Sequence, residues 1–163
     1  MFDAELRKKW PKGPWDDEPD SEEWVHSLSG YKCQIRRGPL GNLCGYVSVP
    51  LIHPLVTLSY DLSDSNKGYP RIEESPQDLL WVHGGITYSR KEGSSWTFGF
   101  DTSHAGDLTL SIFLLPKHLQ SRLKNNSDTY KTIQYVRDEV NNLVSQLYDY
   151  RNLLGIKQKA SGK

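Results

Sequence analysis

Between Thr129 and about Leu154, apolar residues recur at steps of three and four, at Ile133, Val136, Val140, Leu143 and Leu147, with polar side chains opposite. That period predicts an amphipathic helix of about seven turns. Asn125, Asn126, Ser127 and Asp128 are its candidate N-caps and Gly155 its stop. Elsewhere the period is two. Leu80, Val82, Ile86 and Tyr88 share one parity, Trp81, His83 and Thr87 the other, and Trp96, Phe98 and Phe100 repeat the alternation. Arg90 to Ser94 is a polar, glycine-containing loop that suits a hairpin. Pairing Ser89 with Ser95 sets Tyr88 opposite Trp96, Ile86 opposite Phe98 and His83 opposite Asp101. One face then carries the aromatic core, and the other carries His83, Thr87, Thr97 and Asp101. A bulge at Gly84-Gly85 would shift this register by one residue.

Upstream, Trp24–Arg37 supplies one or two short strands, with Tyr31, Cys33 and Ile35 alternating against Lys32, Gln34 and Arg36. Gly38-Pro39-Leu40-Gly41 is a turn. Asn42–Val49 returns with Leu43, Gly45, Val47 and Val49 against Cys44, Tyr46 and Ser48, and Pro50 closes it. A long irregular connection then runs from His53-Pro54 through Asp61, Asp64, Asn66, Gly68 and Pro70. Leu108–Leu115 is an apolar run, a strand or a short buried segment, ending at Pro116, and Lys117–Asn126 is a polar connector. The fold expected is α+β: a mostly antiparallel sheet of four to six strands with one long C-terminal amphipathic helix. Residues 1–23 form an aromatic and acidic arm that Trp10 and Trp15 anchor to the domain or to a neighbouring subunit. Residues 24–156 form a single α+β domain, and 157–163 a flexible tail. The three-four spacing also suits pairing with a second copy, so a homo-oligomer through the C-terminal helix or the N-terminal arm is an open alternative.

Composition narrows the function. With 163 residues the chain suits one domain, and 20 basic against 20 acidic side chains lack the surplus of a nucleic-acid binder. No apolar run approaches a membrane span, and the charged residues 1–24 do not resemble a signal peptide, so a cytoplasmic protein is expected. In that compartment Cys33 and Cys44, on opposite arms of a hairpin, are expected as reduced thiols.

Candidate chemistry gathers where the two strand-like runs end. A histidine oriented by a carboxylate is suited both to act as a base and to bind a metal, which leaves His83 beside Asp101 open to either role. His104 and Asp107 follow within seven residues of Asp101, and glycines at 84, 85, 99 and 106 leave the backbone open to approach. Asp101, His104 and Asp107 are the candidate ligands of a divalent ion, without the specificity of a Cys-x-x-Cys pair. The plainer alternative is a His83–Asp101 pair that only holds the hairpin. The candidate ligand-binding set is His83, Gly84, Gly85, Asp101, His104 and Asp107, with His53, Arg36, Arg37 and Tyr46. Lys67 and Arg71 are further candidate phosphate-facing cations. No glycine-flanked nucleophile elbow supports a serine hydrolase.

Several motifs, in this order, resemble an uncharacterised family of small proteins frequent in bacteriophage and prophage genomes. They are Gly13-Pro14-Trp15-Asp16-Asp17-Glu18-Pro19-Asp20, Arg37 to Val47, His53-Pro54-Leu55, Val82-His83-Gly84-Gly85-Ile86-Thr87-Tyr88, Gly99-Phe100-Asp101, His104-Ala105-Gly106-Asp107 and the Tyr130–Leu147 helix. Members of that family often carry cysteine where Thr102 stands and glycine where Ile52 stands, and the first departure speaks against an essential thiolate at Thr102. The resemblance implies an accessory protein in the cytoplasm of an infected bacterium, of the counter-defence type. Its function would be to sequester, without turnover, a small phosphorylated or nucleotide-derived signal. Such a binder needs aromatic faces, backbone N–H groups, cations and carboxylates; Tyr46, Tyr88, Trp81 and Trp96 are the candidate faces. No cofactor is expected in that reading. The alternatives are a metal-assisted hydrolase with His83 or His104 as general base and a divalent ion as cofactor, and a protein–protein inhibitor or structural accessory factor.

Overall fold

The computed structural model describes residues 4–56 and 79–160, with side chains from Glu5 to Asn152. The connection through Asp61 to Pro70, with Lys67 and Arg71, lies outside the described residues. Five strands, β1 (Ser21–Val25), β2 (Lys32–Arg37), β3 (Leu43–Pro50), β4 (Tyr88–Glu92) and β5 (Ser95–Asp101), form one antiparallel sheet in the order β1-β2-β3-β5-β4. The period of two in β3 is realised as expected, with Leu43, Gly45, Val47 and Val49 all on the buried face. Cys33 lies opposite Val47, which faces Phe98, and Ile35 opposite Gly45, which faces Phe100. At Gly45 an added Cβ would sit 2.6 Å from both Phe100 and Val140, so only glycine lets the sheet and the helix close on each other there.

The C-terminal helix, Ile133–Ala160, lays Val136, Val140, Leu143, Val144 and Leu147 on β2 and β3 with no exposed surface. Each such burial is worth about 1.5–3 kcal/mol. The helix begins later than its candidate caps suggest. Thr129 is tied instead to the Gly106–Leu108 segment, donating to the Gly106 carbonyl at 3.0 Å and accepting from the Leu108 N–H at 2.9 Å. Thr132 Oγ1 accepts from the Tyr135 N–H at 3.3 Å, and Glu18 accepts from the Ile133 N–H at 2.8 Å. Gly155 does not stop the helix, since an interior glycine costs it only about 1 kcal/mol. Lys117–Leu123, read as a connector, is a short helix, and Leu110–Leu114 within the apolar run is a 3-10 turn rather than a strand. These two are α1 (Lys117–Leu123) and α2 (Ile133–Ala160) below.

The β4–β5 hairpin departs from the expected register by three residues. Glu92 pairs with Ser95 and Ser89 with Phe98, across a two-residue turn at Gly93-Ser94. Gly93, at φ +58°, supplies the positive φ that such a tight turn requires. An odd shift exchanges the faces of β4. Tyr88 therefore lies opposite Gly99 on the outer face, edge-on to Tyr46 at 5.3 Å, while Ser89 is buried and accepts from Trp96 Nε1 at 3.0 Å. His83 precedes the strand and is not opposite Asp101.

The arm docks on its own chain. Trp10 and Trp15 pack with Leu110, flanked by Leu6, Leu108, Phe113 and Tyr130, in a second small core. Residues 21–23 of the expected arm already belong to β1. Arg37 is fully buried, donating to Asp20 at 2.7 Å, to the Gly41 carbonyl at 2.9 Å and to the Tyr130 hydroxyl at 2.8 Å. Tyr130 in turn donates to Glu18, so this network joins arm, sheet and helix. Cys33 and Cys44 are free thiols on opposite faces. No helix among the described residues is long and apolar enough to cross a membrane.

Candidate functional site

Two glycine turns build the site. In Val82–Gly85, the Gly85 N–H donates to the Val82 carbonyl at 2.9 Å with Gly84 at φ +66°; in His104–Asp107, the Asp107 N–H donates to the His104 carbonyl at 3.0 Å with Gly106 at φ +90°. Positive φ at the third position of a turn selects glycine, which explains both motifs. The turns bring the rings of His83 and His104 to 5.7 Å, inclined by 67°. A Cβ on residue 84 would stand 2.1 Å from His104 Cε1, so this glycine also makes room for the second imidazole.

The chain entering the first turn runs along a polar row on α2. Trp81 donates its N–H to Gln146 Oε1 at 2.8 Å, and its carbonyl accepts from Asn142 at 3.0 Å and Gln146 at 2.8 Å. The His83 N–H donates to Glu139 at 2.8 Å. The His83 imidazole then bridges two partners, with Nδ1 2.9 Å from the Tyr135 hydroxyl and Nε2 2.7 Å from Asp107 Oδ2.

Asp107 is the hub, with a side chain only 2% exposed. Its Oδ2 also accepts from the His104 N–H at 3.0 Å, and Oδ1 lies 3.4 Å from Lys131 Nζ. Burial pushes its carboxyl up. The hydrogen bonds from His83 and His104 and the nearby charges of His83 and Lys131 outweigh that and hold it below the usual carboxylate range. Asp101 behaves alike: burial raises it, while Ser103, Thr87 and the His104 charge bring it below its ordinary value. His104 Nδ1 is buried without a hydrogen-bond partner among the described residues, 3.7 Å from Asp107 Oδ2 and 3.9 Å from Asp101 Oδ1.

One ligand atom each from His83, His104 and Asp107 lies within 4.8 Å of the others. Two imidazoles and a carboxylate form a donor set suited to zinc and similar divalent ions. His83 thus takes the place that the sequence reading gives to Asp101, which stands beside the cluster. Gly84 and Gly85 shape it.

The other candidates lie elsewhere. His53 is 3% exposed, donates from Nε2 to the Leu147 carbonyl at 2.8 Å and accepts at Nδ1 from the Leu55 N–H at 3.2 Å. Its burial lowers its pKa, and it serves as a neutral tie between the chain after β3 and α2. Arg37 is consumed by the Glu18–Asp20–Tyr130 network. Arg36 is exposed on the outer sheet face, where Tyr46 leans on Tyr88. Tyr135, Glu139, Asn142, Gln146 and Lys131 are absent from the candidate set. The first four recur at steps of four, three and four, one residue before Val136, Val140, Leu143 and Leu147, a polar row visible in the sequence although its partner is not.

No protein-family model, curated protein or solved structure matches this chain.

Proposed function

We propose that the protein holds a divalent metal ion of zinc type through His83 Nε2, His104 Nδ1 and Asp107, and uses the remaining coordination positions to bind a small phosphorylated or nucleotide-derived ligand. The observation that carries this reading is the convergence of one ligand atom each from His83, His104 and Asp107 within 4.8 Å, with His104 Nδ1, buried and without a hydrogen-bond partner among the described residues, 3.7 Å from Asp107 Oδ2. Three protein ligands, with His104 one-third exposed, are the pattern of an open site rather than a closed structural one. The Tyr135 hydroxyl supports it from behind. With a metal on Nε2, the His83 ring would carry its hydrogen on Nδ1 and donate it to the Tyr135 hydroxyl, which would fix the ring. A metal also answers an electrostatic objection, because Asp101 and Asp107 beside one lysine would otherwise repel a phosphate. The biological setting that fits is the one the resemblance implies, a bacteriophage accessory protein that sequesters a signalling nucleotide in the host cytoplasm.

A second reading, hydrolysis of the bound ligand, is favoured by one feature. Asp101 lies 3.9 Å from His104 without belonging to the ligand set, a placement suited to a base acting on water. Calorimetric titration of the full chain with zinc, then of the zinc-loaded protein with cyclic nucleotides and ADP-ribose derivatives, tests the proposal. Binding lost in His104→Ala and Asp107→Asn supports it, and absence of zinc binding overturns it. Recovery of intact ligand from the denatured complex marks sequestration, and recovery of cleaved ligand marks hydrolysis.

A further inference from the structure

Of the five tryptophans in the chain, Trp10 and Trp15 are buried and Trp24 and Trp96 are half-buried against the core, whereas Trp81 is 78% exposed. Its exposure is not that of a loose residue, because three hydrogen bonds from Gln146 and Asn142 clamp its N–H and carbonyl to α2. The neighbours alternate. Leu80 is buried and Val82 packs against the core, while Trp81 and His83 turn away from it. Trp81 stands two residues before His83, so their backbones lie within about 7 Å of one another.

We propose that Trp81 is the stacking face for an aromatic ring of the ligand, so that the site selects nucleotides over phosphosugars and inorganic phosphate. This rests on the reading of His83, His104 and Asp107 as the place where the phosphate is held. An indole kept in water forgoes the burial that the other four tryptophans obtain. A clamped backbone presents it in one orientation, which lowers the ordering cost when a flat ring settles on it. With the phosphate at the histidines, a base reaching back two residues along the chain meets the indole.

The test uses the full chain, with and without zinc, and three probes: AMP, ribose 5-phosphate and inorganic phosphate. The wild type is expected to bind AMP more tightly than ribose 5-phosphate, with quenching of tryptophan fluorescence by AMP. Trp81→Ala is expected to weaken AMP binding about 5- to 150-fold and to leave ribose 5-phosphate unchanged. Trp81→Phe should retain part of the preference. Zinc affinity and the urea midpoint should match the wild type in both variants, since the side chain is exposed. Equal affinity of the wild type for AMP and ribose 5-phosphate, no AMP binding at all, or unaltered AMP binding in Trp81→Ala overturns the proposal. If zinc fails to bind while AMP is still preferred over ribose 5-phosphate and that preference is lost in Trp81→Ala, the metal reading alone falls; if neither zinc nor AMP binds, both readings fall.

Discussion

Replacing Gly84 by alanine should damage the site far more than the fold. The residue sits at φ +66°, where an alanine costs about 1–2 kcal/mol, offset by about 0.4–1 kcal/mol from a less flexible unfolded chain. The new methyl group would also lie 2.1, 2.3 and 2.5 Å from Cε1, Nδ1 and Nε2 of His104. Carbon contacts settle near 3.5–4.0 Å, so the ring must retreat by roughly 1.5 Å or swing outward. Being one-third exposed, it is able to swing. Net destabilisation should therefore stay near 1 kcal/mol, while one of the three proposed metal ligands is lost. Gly85→Ala is the control. It imposes a similar backbone strain at φ +84° with no atom within 4 Å of the added Cβ. Urea unfolding should rank the two variants within about 1 kcal/mol of each other. Zinc titration should separate them, with affinity down at least 10- to 100-fold in Gly84→Ala and within a few-fold of wild type in Gly85→Ala. Equal zinc affinity in the two variants would refute the reasoning.

Other expectations follow from the same geometry. Tyr135→Phe removes only the oxygen beside His83 Nδ1 and should weaken zinc binding about tenfold by titration, with stability nearly unchanged because the residue is 38% exposed. Arg37→Met takes the cation from Glu18, which keeps the Tyr130 hydroxyl and the Ile133 N–H, and from Asp20, which keeps Arg7, and should cost about 1–3 kcal/mol in urea unfolding. His53, held neutral by burial, has a folded pKa below its ordinary 6.5. Its contribution to stability is therefore complete above about pH 6.5 and is lost as the pH falls below that value, by up to about 1.4 kcal/mol per pH unit. Urea midpoints taken from pH 7.5 down to 5.5 should decline more steeply in the wild type than in His53→Gln.

The contrast between what the sequence revealed and what it hid has a physical basis. The α2 stripe and the alternation in β2, β3 and β5 were legible because burial on one face imposes a period that needs no knowledge of the partner. The β4–β5 register was not, because it depends on whether the turn takes five residues or two. Gly93 favours the tight turn, and β4 extends to Glu92. That shift cost the His83–Asp101 pairing. The glycine motifs did mark two turns, since Gly84 and Gly106 take positive φ there and the turns bring the rings of His83 and His104 to 5.7 Å. Which carboxylate His83 meets was decided by the Asp107–Thr129 bridge and the polar row of α2, contacts of long sequence separation. His53 and Arg37 carry the same chemistry as site residues. Only their burial among partners reveals their structural role.

The central claim is that His83, His104 and Asp107 hold one metal ion. A crystal of the full chain grown with zinc, measured at the zinc absorption edge, tests it most directly. An anomalous peak about 2.0–2.2 Å from His83 Nε2, His104 Nδ1 and an Asp107 carboxylate oxygen is the expected result. A map with no peak there, and with His83 Nε2 still hydrogen-bonded to Asp107, would contradict it.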